Sequence, residues 1–183
     1  MDEVREYVER IECITHTVYD TLQSGYEELI YKEALMVELR EASISFERER
    51  IVPILYGSFV IGTGKADIVV IPAVGLSIPI ECKKTGLKED DRQQLRTYMK
   101  GMGDRCTDGI LIRFPQPGNY EPDQPDRVEF LWARQDEAGN AKFFRHESGA
   151  WVLDDNKRKE PKSGKSGTRA RTRAGAALPA GLD

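Results

Sequence analysis

Histidine is nearly absent: His16 and His146 are the only two, more than a hundred residues apart. A histidine-based nuclease or a zinc site is therefore not expected. Cysteine is scarce as well, and Cys13, Cys82 and Cys106 form an odd set without CxxC spacing, which gives neither a disulfide framework nor a zinc ribbon. Reduced thiols are the expectation. Long apolar runs are also missing. The charge-free stretch Ile68 to Ile80 is interrupted by Pro72 and Pro79 and falls short of the roughly 18 apolar residues of a spanning helix. The opening MDEVREYVER is acidic and has no apolar stretch, so it does not read as a secretory leader. The expected location is intracellular, cytoplasmic or nuclear, with no membrane partner. What remains is 183 residues, 39% hydrophobic and 32% charged, enough for one globular domain with room for a tail.

The net charge of −4 conceals an asymmetry. Residues 1–155 hold 19 Lys and Arg against 29 Asp and Glu, net −10, whereas residues 156–183 hold 8 against 2, net +6. A basic tail favours polyanions, while the acidic body does not attract them through bulk charge. Any nucleic-acid site on the body must therefore be local. The run KRKEPKSGKSGTRARTR reads as a solvated tail with weak nonspecific affinity, a DNA-binding arm or a nuclear localisation signal.

Val4, Val8, Ile11, Val18 and Leu22 form one apolar stripe of a first helix that stops at Ser24-Gly25. A second helix is expected from about Glu27 to Ala42, with Leu29, Leu35 and Leu39 along one region and Glu and Lys on the solvent side. The pattern then turns to strand: Ile51–Tyr56, Phe59–Ile61, Ala66–Ile71 and Leu76–Glu81 are short runs separated by glycines, a meander of three or four strands. A third helix spans Glu89–Met102, begun by Glu89-Asp90-Asp91 and ended by Gly101 and Gly103, and Gly109–Phe114 reads as a buried strand. Helix, antiparallel strands, helix and strand make an α/β core with a crossover helix. Gln116–Asp126 reads as a loop, and Val128–Ala133 with Ala141–His146 as an extra hairpin. Trp132 and Trp151 lie there, available for packing within the hairpin or for stacking on bases.

Two acids interrupt hydrophobic strands. Asp67 lies in KADIVV, and Glu81-Cys82-Lys83 closes LSIPI. The strand period puts Glu81 and Lys83 on one face and Cys82 on the other. A turn near Gly75 would bring Asp67 beside Glu81, and two carboxylates that close repel unless a cation lies between them or one takes up a proton. Oxygen ligands suit Mg²⁺. Taken alone, the pattern also fits strand-end acids paired with Lys65, Lys83 or Lys84. Glu28 and Tyr31 stand three apart on the second helix, and Gln94 and Tyr98 four apart on the third, each pair sharing a face.

The ordered set Gly25-Tyr26-Glu27-Glu28-Leu29-Ile30-Tyr31, KEALMVEL, VPILYG, KADIVV, IPIECKK, QLRTY and GILIRF resembles the GxxExxY family of the PD-(D/E)XK nuclease superfamily over roughly residues 10–115. The resemblance implies a restriction-endonuclease-like α/β fold, a core over 1–115 with a mixed central sheet flanked by helices. Outside the resemblance, composition and pattern give a C-terminal β-hairpin extension packed on the core over 116–155 and the basic tail, expected to be disordered, over 156–183. The resemblance implies Glu28, Asp67, Glu81 and Lys83 as catalytic residues. Asp67, Glu81, Glu28 and Cys82 are the implied metal positions, with Mg²⁺ as the ion and Mn²⁺ as a substitute. Gln94, Tyr98 and Tyr31 are placed at the substrate, with Gln94 and Tyr98 contacting DNA or bracing the site. The implied activity is metal-dependent hydrolysis of phosphodiester bonds in nucleic acid, DNA above all; a noncatalytic nucleic-acid-binding or scaffold module on the same fold is the alternative. Ala66 stands where the superfamily usually has Pro, and Arg113 where Asn is common, and neither change removes a ligand. The oligomeric state is open, with a homodimer among the options.

Overall fold

A computed structural model describes residues 3–72, 75–84, 86–115 and 127–155. The expected loop at 116–126 and the basic tail lie outside these residues. In chain order the elements are α1 (Glu3–Leu22), α2 (Glu28–Glu41), β1 (Phe46–Tyr56), β2 (Phe59–Val70), β3 (Ile78–Lys83), α3 (Glu89–Met102), β4 (Asp108–Arg113), β5 (Glu129–Gln135), β6 (Ala141–Glu147) and β7 (Ala150–Leu153). The strands form one seven-stranded sheet in sequence order. Only β3 and β4, joined by α3 as a crossover, run parallel; every other neighbouring pair is antiparallel. No helix among the described residues is long and apolar enough to cross a membrane.

The sheet is buried on both faces near its centre, and the strand period decides what lies where. Ile68, Val70, Ile80, Cys82, Ile110 and Ile112 pack under α1 and α2. Leu111 and Leu131 turn the other way, onto Leu95 and Met99 of α3. The α1 stripe holds, with Val8, Ile11 and Val18 buried. On α2 the buried series is Tyr31, Leu35 and Leu39, four apart, while the expected Leu29 is exposed because a spacing of six from Leu35 carries it off that face.

Two sequence boundaries shift for steric reasons. The runs around Phe59 and Ala66 are one strand, because Gly62 and Gly64 lie within β2 rather than ending it. A Cβ at position 64 would stand 2.4 Å from Tyr98 Cε1, so glycine there admits the aromatic ring. Gly101 likewise lies inside α3; a Cβ there would meet the Pro53 carbonyl oxygen at 2.3 Å, which makes this the point where α3 crosses β1. Gly103, at φ 73°, is the residue that ends the helix.

The C-terminal strands extend the sheet edge to edge instead of packing over it, since β5 pairs with β4 from Asp108↔Arg134 to Arg113↔Glu129, and β7 adds a strand beyond the expected hairpin. Trp132 and Trp151 pack edge to face at 5.1 Å, and their N–H groups donate to Asp108 and Glu9. Both rings are engaged in packing, Trp132 buried and Trp151 partly buried. His146 stacks on Trp151 and pairs with Glu12, well outside the cluster of acids.

Candidate active site

Antiparallel pairing of β2 with β3 sets Ile68 opposite Ile80, so Asp67 and Glu81 follow as cross-strand neighbours. The pairing is reciprocal: the Asp67 N–H donates to Glu81 Oε1 at 3.2 Å, and the Cys82 N–H donates to Asp67 Oδ2 at 3.2 Å. Glu81 is 1% exposed. Burial, and then the neighbouring Asp67 charge, push its carboxyl up to about 7, against the lowering influence of Lys83. The expected approach of the two acids is present, and so is its electrostatic cost.

Cations offset that cost from two sides. Lys83 Nζ donates to Glu81 Oε2 at 3.4 Å and to Gln94 Oε1 at 3.0 Å, with Asp91 Oδ1 at 3.9 Å. Gln94 in turn donates to the Tyr98 hydroxyl at 2.9 Å. A chain of side chains on α3 thus fixes where the Lys83 ammonium stands. On the other side Lys32 bridges Glu28 Oε1 at 2.7 Å and Asp67 Oδ1 at 2.9 Å. Burial alone would lower the Lys32 ammonium, but Glu28 and Asp67 outweigh it and hold the group charged well above its usual range.

The structure therefore brings Glu28, Asp67, Glu81, Lys83 and Gln94 into one constellation. Tyr98 belongs to it as a brace: its ring is buried over Gly64 and its hydroxyl is occupied by Gln94. Two expected residues are corrected. Tyr31, expected at the substrate, has no exposed surface; its ring stacks on Phe114 at 4.6 Å and its hydroxyl donates to the Gln23 carbonyl at 2.6 Å while receiving the Tyr26 N–H at 3.4 Å. The motif thereby acquires a physical meaning. Gly25 adopts φ 125°, a conformation glycine favours, Tyr31 ties that turn down from inside, and Glu28 is delivered to the site at the first turn of α2. Cys82, expected at the metal, turns its thiol into the core under α1 and α2, and burial, then Asp67, raise it well above the ordinary thiol range. Its link to the site is its backbone N–H.

Sequence reading missed Lys32 and Asp91. Lys32 follows Glu28 by four residues, a spacing that ordinarily signals only a solvated ion pair. Asp91 precedes Gln94 by three and accepts the Lys88 N–H at 2.8 Å, doing duty as a helix cap.

Among the described residues no three His, Cys, Asp or Glu side chains converge as a ready-made metal cage. The donor chemistry nevertheless fits a hard divalent cation: Asp67 and Glu81 offer carboxylate oxygens from adjacent strands, and a positive charge already sits between Asp67 and Glu28 in the form of the Lys32 ammonium. No curated protein and no solved structure matches the chain. A family model for the PD-(D/E)XK nuclease superfamily matches residues 5–124, the span from the first turn of α1 to beyond β4 that contains every residue of this constellation, and the chain belongs to that superfamily.

Proposed function

We propose that the protein is a Mg²⁺-dependent nuclease that hydrolyses phosphodiester bonds in DNA, with Mn²⁺ able to substitute. The observation that carries this reading is the cross-strand pair Asp67 and Glu81 with Lys83 two residues on, its ammonium fixed by Gln94. Within the superfamily, Gly25, Glu28 and Tyr31 support placement in the GxxExxY family. Asp67 and Glu81, joined by Glu28, would hold the ion. When bound, such an ion supplies Lewis-acid compensation of the charge that builds on the phosphate oxygens and acidifies water for attack. Lys83 has ammonium protons to donate from Nζ, to a phosphate oxygen or to the attacking water, and Gln94 and Tyr98 keep that donor in place. Lys32 and Lys83 also offset part of the site's negative charge on a body of net −10, and a bound dication would add to that where a polyanion approaches. The eight cations of residues 156–183 would add nonspecific affinity for the same polymer.

The noncatalytic binding or scaffold reading draws on one observation: Lys32 and Lys83 already neutralise the acids in part. Cleavage of a labelled DNA duplex distinguishes the two. The nuclease reading requires cleavage with Mg²⁺ or Mn²⁺, none in EDTA, and none by a folded Asp67→Asn protein. Full activity in EDTA, or undiminished activity of Asp67→Asn, would overturn it.

A further inference from the structure

The ammonium of Lys32 occupies an unusual place for a helix-surface lysine. Its contact with Glu28 at 2.7 Å is the ordinary four-residue pair, but its contact with Asp67 at 2.9 Å crosses from α2 to β2 and makes it the one group touching both of those acids among the ion pairs of the described residues. The Lys32 and Asp67 side chains are exposed to a similar, minor extent, 18% and 19%, so this pair is screened less than an exposed one. Without it, Glu28 and Asp67 would keep no cation between them.

A dication cannot enter between Glu28 and Asp67 while an ammonium sits on the same oxygens, because two positive charges at that separation repel strongly in a partly buried site. The flexible four-carbon stem of lysine allows the ammonium to swing outward while the helix stays in place. We infer that Lys32 is a resident counter-cation that a divalent ion must displace, so that metal entry is an exchange of one cation for another and Lys32 sets the metal concentration at which the site fills. This rests on the metal-binding reading above. It adds that the metal-free protein is a stable, charge-compensated resting form.

Calorimetric titration of Mn²⁺ into the full-length protein in metal-free buffer tests the exchange, using Lys32→Met, the hydrogen-bonding Lys32→Gln should the first fold poorly, and Lys84→Met as a control. Lys84 pairs with exposed Glu27 and touches none of the three acids. Removing the resident charge should lower the Mn²⁺ dissociation constant by roughly tenfold or more, whereas the control should change it by no more than about twofold, since exposed charges are screened. Equal affinities in wild type and the Lys32 variants, or an equal shift in the control, would overturn the exchange while leaving the metal site standing. Absence of Mn²⁺ binding in every protein would overturn both. A second readout is independent of metal: thermal unfolding in EDTA should show a lower Tm for Lys32→Met, partly restored in Lys32→Met/Glu28→Gln. An unchanged Tm would overturn the counter-cation role.

Discussion

At its hairpin end β2 exposes Phe59, Val60 and Ile61 beside Tyr56 of β1, and no charged residue occurs between Ile51 and Gly64; at its other end the same strand buries Ala66, Ile68, Val69 and Val70 and sets Asp67 against Glu81. The first arrangement is cheap, because more than half of a folded protein's surface is apolar in any case. The second is expensive, because a buried carboxylate beside another must be paired or protonated. The protein leaves the first without compensation and surrounds the second with Lys32, Lys83, Gln94 and two backbone N–H groups. Costly polar burial, rather than exposed apolar surface, marks the end of the strand on which the proposed function rests.

The largest expected effects fall at the acidic end. Glu81→Gln or Lys83→Ala should reduce DNA cleavage at saturating substrate by about a hundredfold or more, the scale associated with losing a group that stabilises transition-state charge. Tyr56→Ser and Phe59→Ser should leave the same turnover near wild type. A comparable loss at the hairpin tip, read in the same assay, would break the contrast and make the tip part of the reacting machinery.

Glu81 sharpens the contrast through pH. Its carboxyl is raised in the fold from 4.5 to about 7, chiefly by burial. The unfolded chain therefore loses this proton first, and the folded protein loses stability as pH rises between those values, then levels off. The full shift corresponds to about 3 kcal/mol as an upper bound. In EDTA, Glu81→Gln removes this titration, so urea denaturation should show the variant gaining on wild type from pH 4.5 to 7 and holding the gain above. Parallel stability curves would mean that the carboxyl is not strained by its surroundings.

A third expectation tests how the hairpin is anchored. Gly101→Ala forces a methyl onto the Pro53 carbonyl and Val52 Cγ1, a conflict with backbone that should cost about 1–3 kcal/mol in urea denaturation. The smallest effects belong to the tip: Tyr56→Ser or Phe59→Ser should change stability by no more than about 0.5 kcal/mol, as exposed substitutions do. A larger loss at the tip would show that these side chains are covered in solution.

Asp67, Glu81 and Lys83 were legible in the sequence because the two acids break apolar runs and the strand period puts Glu81 and Lys83 on one face. Glu28, Gln94 and Tyr98 were legible only through the family resemblance, and the β-meander with its crossover helix followed from a change of period. Other features were not. Lys32 looks like any solvated lysine on a Glu- and Lys-rich helix until β2 is folded against it, since a spacing of four says nothing about a third partner. Tyr31 shares a three-residue spacing with Glu28, yet the two diverge, one to the site and one to the core against Phe114, because that spacing leaves about 60° between them around the helix. Gly62 and Gly64 look like strand breaks, yet β2 runs through both, and at position 64 the glycine makes room for the ring of Tyr98. The joining of β5 to β4 depends on a long-range pairing that no local pattern records.

The central claim is that Asp67 and Glu81 are brought together to hold a divalent cation, and titration of Mn²⁺ into wild-type and Asp67→Asn protein, followed by calorimetry, tests it most directly. The account predicts saturable binding in the wild type and its loss in a variant that remains folded. Indistinguishable isotherms, or no binding by the wild type, would contradict it.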